Sequence, residues 1–141
     1  MAFKAYNKRK NNDIYVAIMN AKASRIYYGI YKFDNNSTTV INFPTADNID
    51  NLLEMLKTNF KNDNIILLTD TTNEYKDIVN DYNIDNLVLD TEDIFSDANT
   101  LLDYYIYLND KTNYKKNTFD LDVEYVRPSS AERIKNNGHI N

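Results

Sequence analysis

The chain has 141 residues, of which 43% are hydrophobic and 26% are charged, and its formal net charge is −5 at pH 7. This length predicts about one domain with a single hydrophobic core. The absence of cysteine excludes disulfides and thiolate metal sites, and a single histidine, His139, argues against histidine-rich zinc sites and most Ser-His or Cys-His nucleophiles. Any catalysis must therefore rest on carboxylates.

The charge is distributed unevenly along the chain. Residues 1–12 contain four bases and no acid, whereas residues 13–110 contain six bases and 17 acids, a net charge of −11. A short basic arm can contact a phosphate backbone that an acidic body repels. The arm therefore predicts nucleic-acid contact, with a solvated acidic surface and a disordered start as the alternative. Its basic residues are Lys4, Lys8, Arg9 and Lys10.

Composition also bears on where the protein works. No apolar stretch approaches 18 residues and none follows the basic start, so neither a membrane span nor a signal peptide is expected, and a cytoplasmic protein is predicted. The chain has 23 asparagines and no glutamine, together with abundant Ile, Lys, Tyr and Asp. This bias is typical of AT-rich coding and favours a low-GC genome or one of its phages or plasmids.

Three apolar runs precede the first helical pattern. Residues 14–19 form a continuous apolar run, which is typical of a central strand covered on both faces. Residues 25–33 are its expected hairpin partner. Residues 38–43 are expected to form a third strand that Pro44 ends.

Helical and strand patterns then alternate. Apolar residues at helical spacing predict three helices, the first capped by Thr45, Asp47 or Asn48 and the last by Ser96 or Asp97. The middle helix is expected to begin with a capping box, Thr71-x-x-Glu74. Two short apolar strands, residues 64–69 and 86–90, separate the helices. This alternation implies right-handed crossovers and a parallel part of the sheet, formed by the first, fourth and fifth strands.

The pattern changes after residue 110. Four apolar residues alternate there with three acids, which is the period of a half-buried strand. The apolar residues are Phe119, Leu121, Val123 and Tyr125. Such a segment is expected to pair with a sheet edge, in its own domain or in a partner, and this predicts a protein partner or a homo-oligomer. The predicted organisation is a basic N-terminal arm (1–12), an α/β domain (13–110) and a C-terminal strand and tail (111–141).

Ligands gather at the carboxyl ends of central strands in an open α/β sheet. Asn20 follows the first strand and Asp70 follows the fourth, and the expected topology places them side by side. Asp50 lies in the first turn of the helix before the fourth strand, and Asp97 or Asn99 begins the last helix. The three aspartates also have a structural interpretation, as helix N-terminal acids or a strand-end turn residue.

With these elements the sequence resembles the ribonuclease H-like superfamily, and bacterial type-one ribonuclease H in particular. The resemblance covers residues 13–108 in the element order βββαβαβα and in four short motifs: YYGIY at 27–31, ADNIDNLLEML at 46–56, LLTDTTNEY at 67–75 and DANTLLD at 97–103. It implies an α/β fold with a mixed five-stranded sheet flanked by helices.

The resemblance also implies a site in which four carboxylates hold two magnesium ions. Asp50 and Asp70 match two of these positions, whereas Asn20 and Asn99 stand where the family has carboxylates. Two amides halve the negative charge of such a site, and Mg²⁺ gives up its water reluctantly unless anionic oxygen replaces it. These four residues therefore predict a degenerate metal site, and no resident cofactor is expected unless the protein is an active Mg²⁺ enzyme.

Two functions remain open. The first is a non-catalytic binding module on a ribonuclease H-like scaffold, such as a phage or mobile-element protein that binds or inhibits a host factor. The alternative is a magnesium-dependent ribonuclease that cleaves RNA–DNA hybrids, with Asp50, Asp70 and Asp97 as catalytic acids and Asn20 as a neutral ligand. A Rossmann-like or flavodoxin-like domain is a third interpretation of the fold, which a first strand at the sheet edge would indicate.

Overall fold

The fold is built on a mixed five-stranded sheet. The structure is a computed structural model, and it describes residues 1–22, 25–34, 36–90 and 97–108. The predicted C-terminal strand, residues 119–125, lies outside the described residues. In chain order the described elements are α1 (Ala2–Arg9), β1 (Ile14–Asn20), β2 (Arg25–Asp34), β3 (Ser37–Asn48), α2 (Ile49–Asn59), β4 (Ile65–Thr69), α3 (Thr72–Tyr82), β5 (Leu87–Leu89) and α4 (Ala98–Tyr107).

The strands lie in the order β3-β2-β1-β4-β5. β1 pairs antiparallel with β2 and parallel with β4, and β5 continues the parallel part beside β4. The predicted parallel part is therefore confirmed. β1 lies in the middle of the sheet and not at its edge, but the Rossmann order also has a central first strand. The antiparallel pairing of β2 with β1 and β3 is what distinguishes this sheet from the mostly parallel sheets of Rossmann-like and flavodoxin-like domains.

One face of the sheet packs against α2 and α3. Alternate residues of β1, beginning with Ile14 and Val16, point to this face because side chains alternate along a strand. Three leucines of α2, at the spacing that predicted the helix, have no more than 1% of their surface exposed: Leu52, Leu53 and Leu56. Tyr75 and Val79 of α3 complete this core.

The opposite face packs against α1 and α4. Tyr15, Phe33 and Leu68 project from the sheet, and Ala2, Phe3 and Ala5 of α1 are buried against them. The segment that was expected to form a basic arm therefore contains a helix with an apolar side. Two bases in its last turn, Lys8 and Arg9, are favourably placed for the helix macrodipole.

We expect alkaline pH to weaken this face through Tyr15, which is fully buried and donates its hydroxyl to Asn11. Burial raises the pKa of Tyr15 to about 12, and the Asp13 carboxylate adds to the rise. Because the folded pKa is raised, the stability that Tyr15 contributes is complete below about pH 10 and is lost as the pH rises toward about 12. Urea unfolding at about pH 9 and about pH 11.5 measures how much the free energy of unfolding falls between the two pH values. We expect this fall to be smaller for Tyr15→Phe than for the native protein. Equal losses would contradict this expectation.

Pro44 does not end the third strand, contrary to the prediction. β3 continues through it to Asn48 and lies at the edge of the described sheet. The β2–β3 register shifts between Tyr28 and Tyr31, opposite this part of β3. Proline has no backbone N–H to donate to a neighbouring strand, so it is tolerated on an edge strand and beside an irregularity in strand pairing. β3 meets both conditions at Pro44.

The helix starts agree only partly with the predicted caps. Asp97 caps α4 as predicted, since its Oδ1 accepts a hydrogen bond of 2.7 Å from the Thr100 amide. The capping box of α3 does not form, because the Thr71 side chain makes no cap hydrogen bond and instead points its hydroxyl at Glu74. The helices of the described segments, none longer than 11 residues, lack the length and apolarity that crossing a membrane requires.

Candidate functional site

The ends of β1 and β4 meet at one end of the sheet, where the sequence predicts the site. Their parallel register pairs Ile18 with Thr69, so Asn20 and Asp70 follow neighbouring strands. The Asn20 Nδ2 donates a hydrogen bond of 2.9 Å to Oε2 of Glu74, and the Asn20 Oδ1 accepts one of 2.7 Å from the Lys22 amide. Both polar groups of the Asn20 side chain are therefore engaged by the protein itself.

Asp70 lies at the turn between β4 and α3. Its Oδ1 accepts a hydrogen bond of 3.4 Å from the Thr69 hydroxyl, which in turn accepts one from the Thr71 amide at 3.1 Å. Burial raises the pKa of Tyr75, and the Glu74 and Asp70 carboxylates raise it further. Glu74 and Asp70 thus both act on Tyr75 at this end of the sheet.

Asp50 contacts Tyr82 and has no hydrogen bond to Asn20 or Asp70 among the described residues. It lies in the first turn of α2, and its Oδ1 accepts a hydrogen bond of 3.1 Å from the Tyr82 hydroxyl at the end of α3. Burial is the main cause of a raised pKa at Tyr82, and the hydrogen bond to Asp50 adds to it. The Asp50 carboxylate therefore links two helices on one face of the sheet.

Asp97 and Asn99 belong to α4, which packs on the other face. The Asp97 carboxylate contacts the Lys4 ammonium at 2.7 Å. This contact and the hydrogen bond from the Thr100 amide hold the pKa of Asp97 well below its ordinary value. Asn99 lines a polar depression of about 290 Å³ between α1 and α4, together with Lys4 and Lys8.

The structure does not gather the predicted catalytic acids. Across residues 1–22, 25–34, 36–90 and 97–108, no three acidic or histidine side chains form a group that could hold a metal ion. Asp50 contacts Tyr82 at the end of α3, whereas Asp70 precedes the start of that helix. Asp97 pairs with Lys4 on the opposite face of the sheet. The two-magnesium site that the resemblance implies does not fit this arrangement.

The predicted nucleic-acid contacts are partly engaged within the protein. Lys4 pairs with Asp97, and the Arg9 guanidinium lies 3.0 Å from Oδ2 of the buried Asp90. Lys8 and Lys10 are exposed at the end of α1. Lys4 and Arg9 are therefore engaged in ion pairs within the protein, so the basic surface offered to a nucleic acid is smaller than the sequence indicates.

An apolar groove lies between α4 and the sheet on the α1 side. It encloses about 320 Å³ and is lined by Phe3, Ala17, Gly29, Tyr31, Thr38 and Leu101, among others. Gly29 matters here, because a Cβ at this position would lie 2.8 Å from Cζ of Tyr31, whose ring covers the glycine. The outer side of α4 is also apolar, with Leu101, Leu102 and Ile106 between 58% and 65% exposed.

Two side chains of these sites were not predicted from the sequence. Glu74 was expected to cap its own helix, but it accepts the Asn20 amide from the neighbouring strand end. Asp90 was expected only as the end of a strand, but it forms an ion pair with Arg9. An acid directly after an apolar strand, as at Asp90, is the one local signal that indicates such a role, whereas nothing near Glu74 in the sequence indicates its partner.

Comparison with known proteins shows the fold. No protein-family model matches the chain, and no curated protein matches it in sequence. The structure is similar to the crystal structure of an uncharacterized protein from Pseudomonas aeruginosa with similarity to the peptidase YeaZ, with a TM-score of 0.66 and 13% sequence identity. The similarity covers 89% of this chain and 54% of that one, so this chain spans about half the length of that protein. At this identity the likeness is one of α/β architecture.

Proposed function

We propose that this protein is a non-catalytic, protein-binding module on a ribonuclease H-like scaffold. The strand order, the parallel part of the sheet and the helices on both faces support this scaffold. The similarity in fold to the Pseudomonas aeruginosa protein is consistent with it. The AT-rich composition favours a phage or mobile-element protein, whose partner would then be a host factor.

The hydrogen bonding of Asn20 is the observation that carries the non-catalytic part of the proposal. Its amide oxygen is bonded to the Lys22 amide and its nitrogen to Glu74, so this strand-end residue acts as a structural link. Cleavage with two magnesium ions requires anionic oxygens close together. Here one strand end carries an amide, and two of the acids expected to complete the site, Asp50 and Asp97, contact Tyr82 and Lys4 instead.

The outer side of α4 supports the protein-binding part. Leu101, Leu102 and Ile106 are adjacent on the helix surface and mostly exposed. Contiguous exposed apolar side chains usually mark a surface that contacts another protein. Residues 119–125 follow α4 in the chain, and we include them in the proposed partner-binding region because of their alternating apolar pattern.

Substitution on α4 tests the proposed binding surface. The double variant Leu101→Lys/Ile106→Lys should lose at least about tenfold of its partner affinity, because it places charge on the apolar side of the helix. A matched control is Val88→Lys, which changes a residue that is 57% exposed on β5. Capture from a host lysate identifies the partner. Titration of the purified partner then measures its affinity for the native protein, for the α4 variant and for the control. A second copy of the chain would appear instead as self-association in sedimentation. Equal affinity in both variants would contradict the proposal.

The ribonuclease alternative rests on two acids near the ends of the central strands: Asp70, which follows β4, and Glu74 in the first turn of α3, which contacts Asn20 at the end of β1. Calorimetric titration of the native protein with Mg²⁺ or Mn²⁺ separates the two functions. We expect no binding at millimolar metal. Metal binding, together with cleavage of an RNA–DNA hybrid that disappears in Asp70→Asn, would replace the proposal with a nuclease.

A further inference from the structure

The apolar groove between α4 and the sheet has two small residues side by side in its floor. Ala17 of β1 and Gly29 of β2 are paired in the antiparallel register, and both line the groove. They leave a depression because their neighbours in the lining, Met19, Tyr27 and Tyr31, are large. The volume of about 320 Å³ lies at the lower end of the range for small-molecule sites in proteins. The groove therefore has room for a small ring system.

Aromatic rings form the walls of the groove. Phe3 of α1, Tyr31 of β2 and Tyr104 of α4 all line it. The ring of Tyr31 lies across Gly29, whose missing side chain leaves space for it. Aromatic rings bind other flat rings through offset stacking or edge contacts. Such walls favour a planar aromatic ligand over a flexible aliphatic one.

The lining of the groove also favours an uncharged ligand. Among the described residues, none of the side chains that line it is charged. The Met1 ammonium lies at the α1 end, where burial and the nearby Lys4 lower its pKa and so reduce its charge. Moving a charged group out of water without a partner costs far more free energy than moving an uncharged ring.

The Tyr31 hydroxyl is a polar group that such a ligand can engage. It makes no hydrogen bond to the residues that the structure describes, although Tyr31 is half-buried. Burial raises the pKa of Tyr31, and Tyr104 adds to the rise. Small-molecule sites commonly combine an apolar lining with a few polar groups that fix the orientation of the ligand. The ligand should therefore carry a hydrogen-bonding atom on its ring.

We propose that the groove binds a small, uncharged aromatic molecule whose ring carries a polar group that hydrogen-bonds the Tyr31 hydroxyl. The ring lies over Ala17 and Gly29 and contacts Phe3 and Tyr104. The ligand can bind whether or not a protein partner occupies the outer side of α4, so this site does not depend on the proposed function.

Titration of the full-length protein with indole tests the site. Indole is planar and uncharged and has an N–H donor, and its fluorescence can be followed because the chain contains no tryptophan. We expect saturable binding with a Kd of about 1 mM or tighter. Ala17→Leu fills the floor and should weaken binding at least about tenfold. The matched control, Ala21→Leu, adds the same side chain outside the groove and should leave the affinity unchanged.

Tyr31→Phe tests the hydrogen bond. It removes the hydroxyl and keeps the ring, so indole should bind at least about threefold more weakly than to the native protein. N-methylindole has no N–H and should bind both proteins equally. Circular dichroism reports whether each variant remains folded, and this conservative change also tests the site if Ala17→Leu does not fold.

Three results would count against the proposal. The first is the absence of saturable binding by the native protein up to the solubility of indole. The second is equal affinity of Ala17→Leu and Ala21→Leu, which would show that indole binds elsewhere on the surface. The third is an equal loss of affinity for indole and N-methylindole in Tyr31→Phe, which would reject the role of the hydroxyl. Each would leave the α4 binding test unaffected, so the two proposals fail independently.

Discussion

Phe3→Ala is expected to lower the free energy of unfolding by about 3–5 kcal/mol, the usual range for removing a buried phenylalanine. Phe3 is 8% exposed, and its ring lies 5.0–6.1 Å, between centroids, from four other aromatic rings: Tyr6, Phe33, Tyr104 and Tyr107. These rings belong to α1, β2 and α4, so the substitution leaves a cavity where three elements meet. Urea unfolding followed by circular dichroism measures the loss.

Asn7→Ala is the matched control, because Asn7 is exposed on the same helix. We expect it to change stability by no more than about 0.5 kcal/mol. A loss below about 1 kcal/mol for Phe3→Ala would instead indicate that residues 1–12 act as the independent basic arm that their charge suggests.

Arg9→Ala is expected to cost about 2–3 kcal/mol of stability. Its guanidinium faces the Asp90 carboxylate at 3.0 Å, and the Asp90 side chain is only 7% exposed. Removing one member of a fully buried ion pair costs about 3–5 kcal/mol, because the other charge stays desolvated. We expect a smaller loss here because the Arg9 side chain is 31% exposed and water partly screens the pair. Chemical unfolding at neutral pH measures it.

A double-mutant cycle separates the pair from the rest of the helix. If the loss comes from the contact of Arg9 with the buried Asp90 carboxylate, Asp90→Asn should reduce the cost of Arg9→Ala, with a coupling energy of at least about 1 kcal/mol. Asn7→Ala, which changes an exposed residue of the same helix, should change little. Additive effects of Arg9→Ala and Asp90→Asn would show that the ion pair does not stabilise the fold.

The strands and the longer helices were predictable because they carry strong local patterns. The apolar run of β1 indicated a strand covered on both faces, and the spacing of Leu52, Leu53 and Leu56 indicated the buried side of α2. α1 was not predicted. It has eight residues and few apolar side chains, and a helix this short is stable only through packing on other elements. That packing depends on α4, which is distant in the sequence.

The sequence could predict which strand ends lie side by side at the site, because the backbone topology determines that. The parallel pairing of β1 and β4 brings Asn20 and Asp70 to neighbouring strand ends, which the order of elements alone suggested. Which side chains then bond to each other depends on rotamers and on contacts between distant segments. The hydrogen bonds of Asn20 to Glu74 and of Tyr82 to Asp50 join residues 54 and 32 positions apart, and no local pattern encodes them.

The contact of α1 with α4 has a consequence for biosynthesis. Lys4 and Asp97 are 93 positions apart, and the ring of Phe3 packs against Tyr104 and Tyr107. A ribosome adds about 5–20 residues per second, so several seconds pass between translation of α1 and of α4. During that interval α1 can pack on Tyr15 and Phe33 of the sheet, but the side of Phe3 that contacts Tyr104 and Tyr107 stays exposed to water until α4 is made. Slow translation would therefore prolong a state in which this surface is available to chaperones.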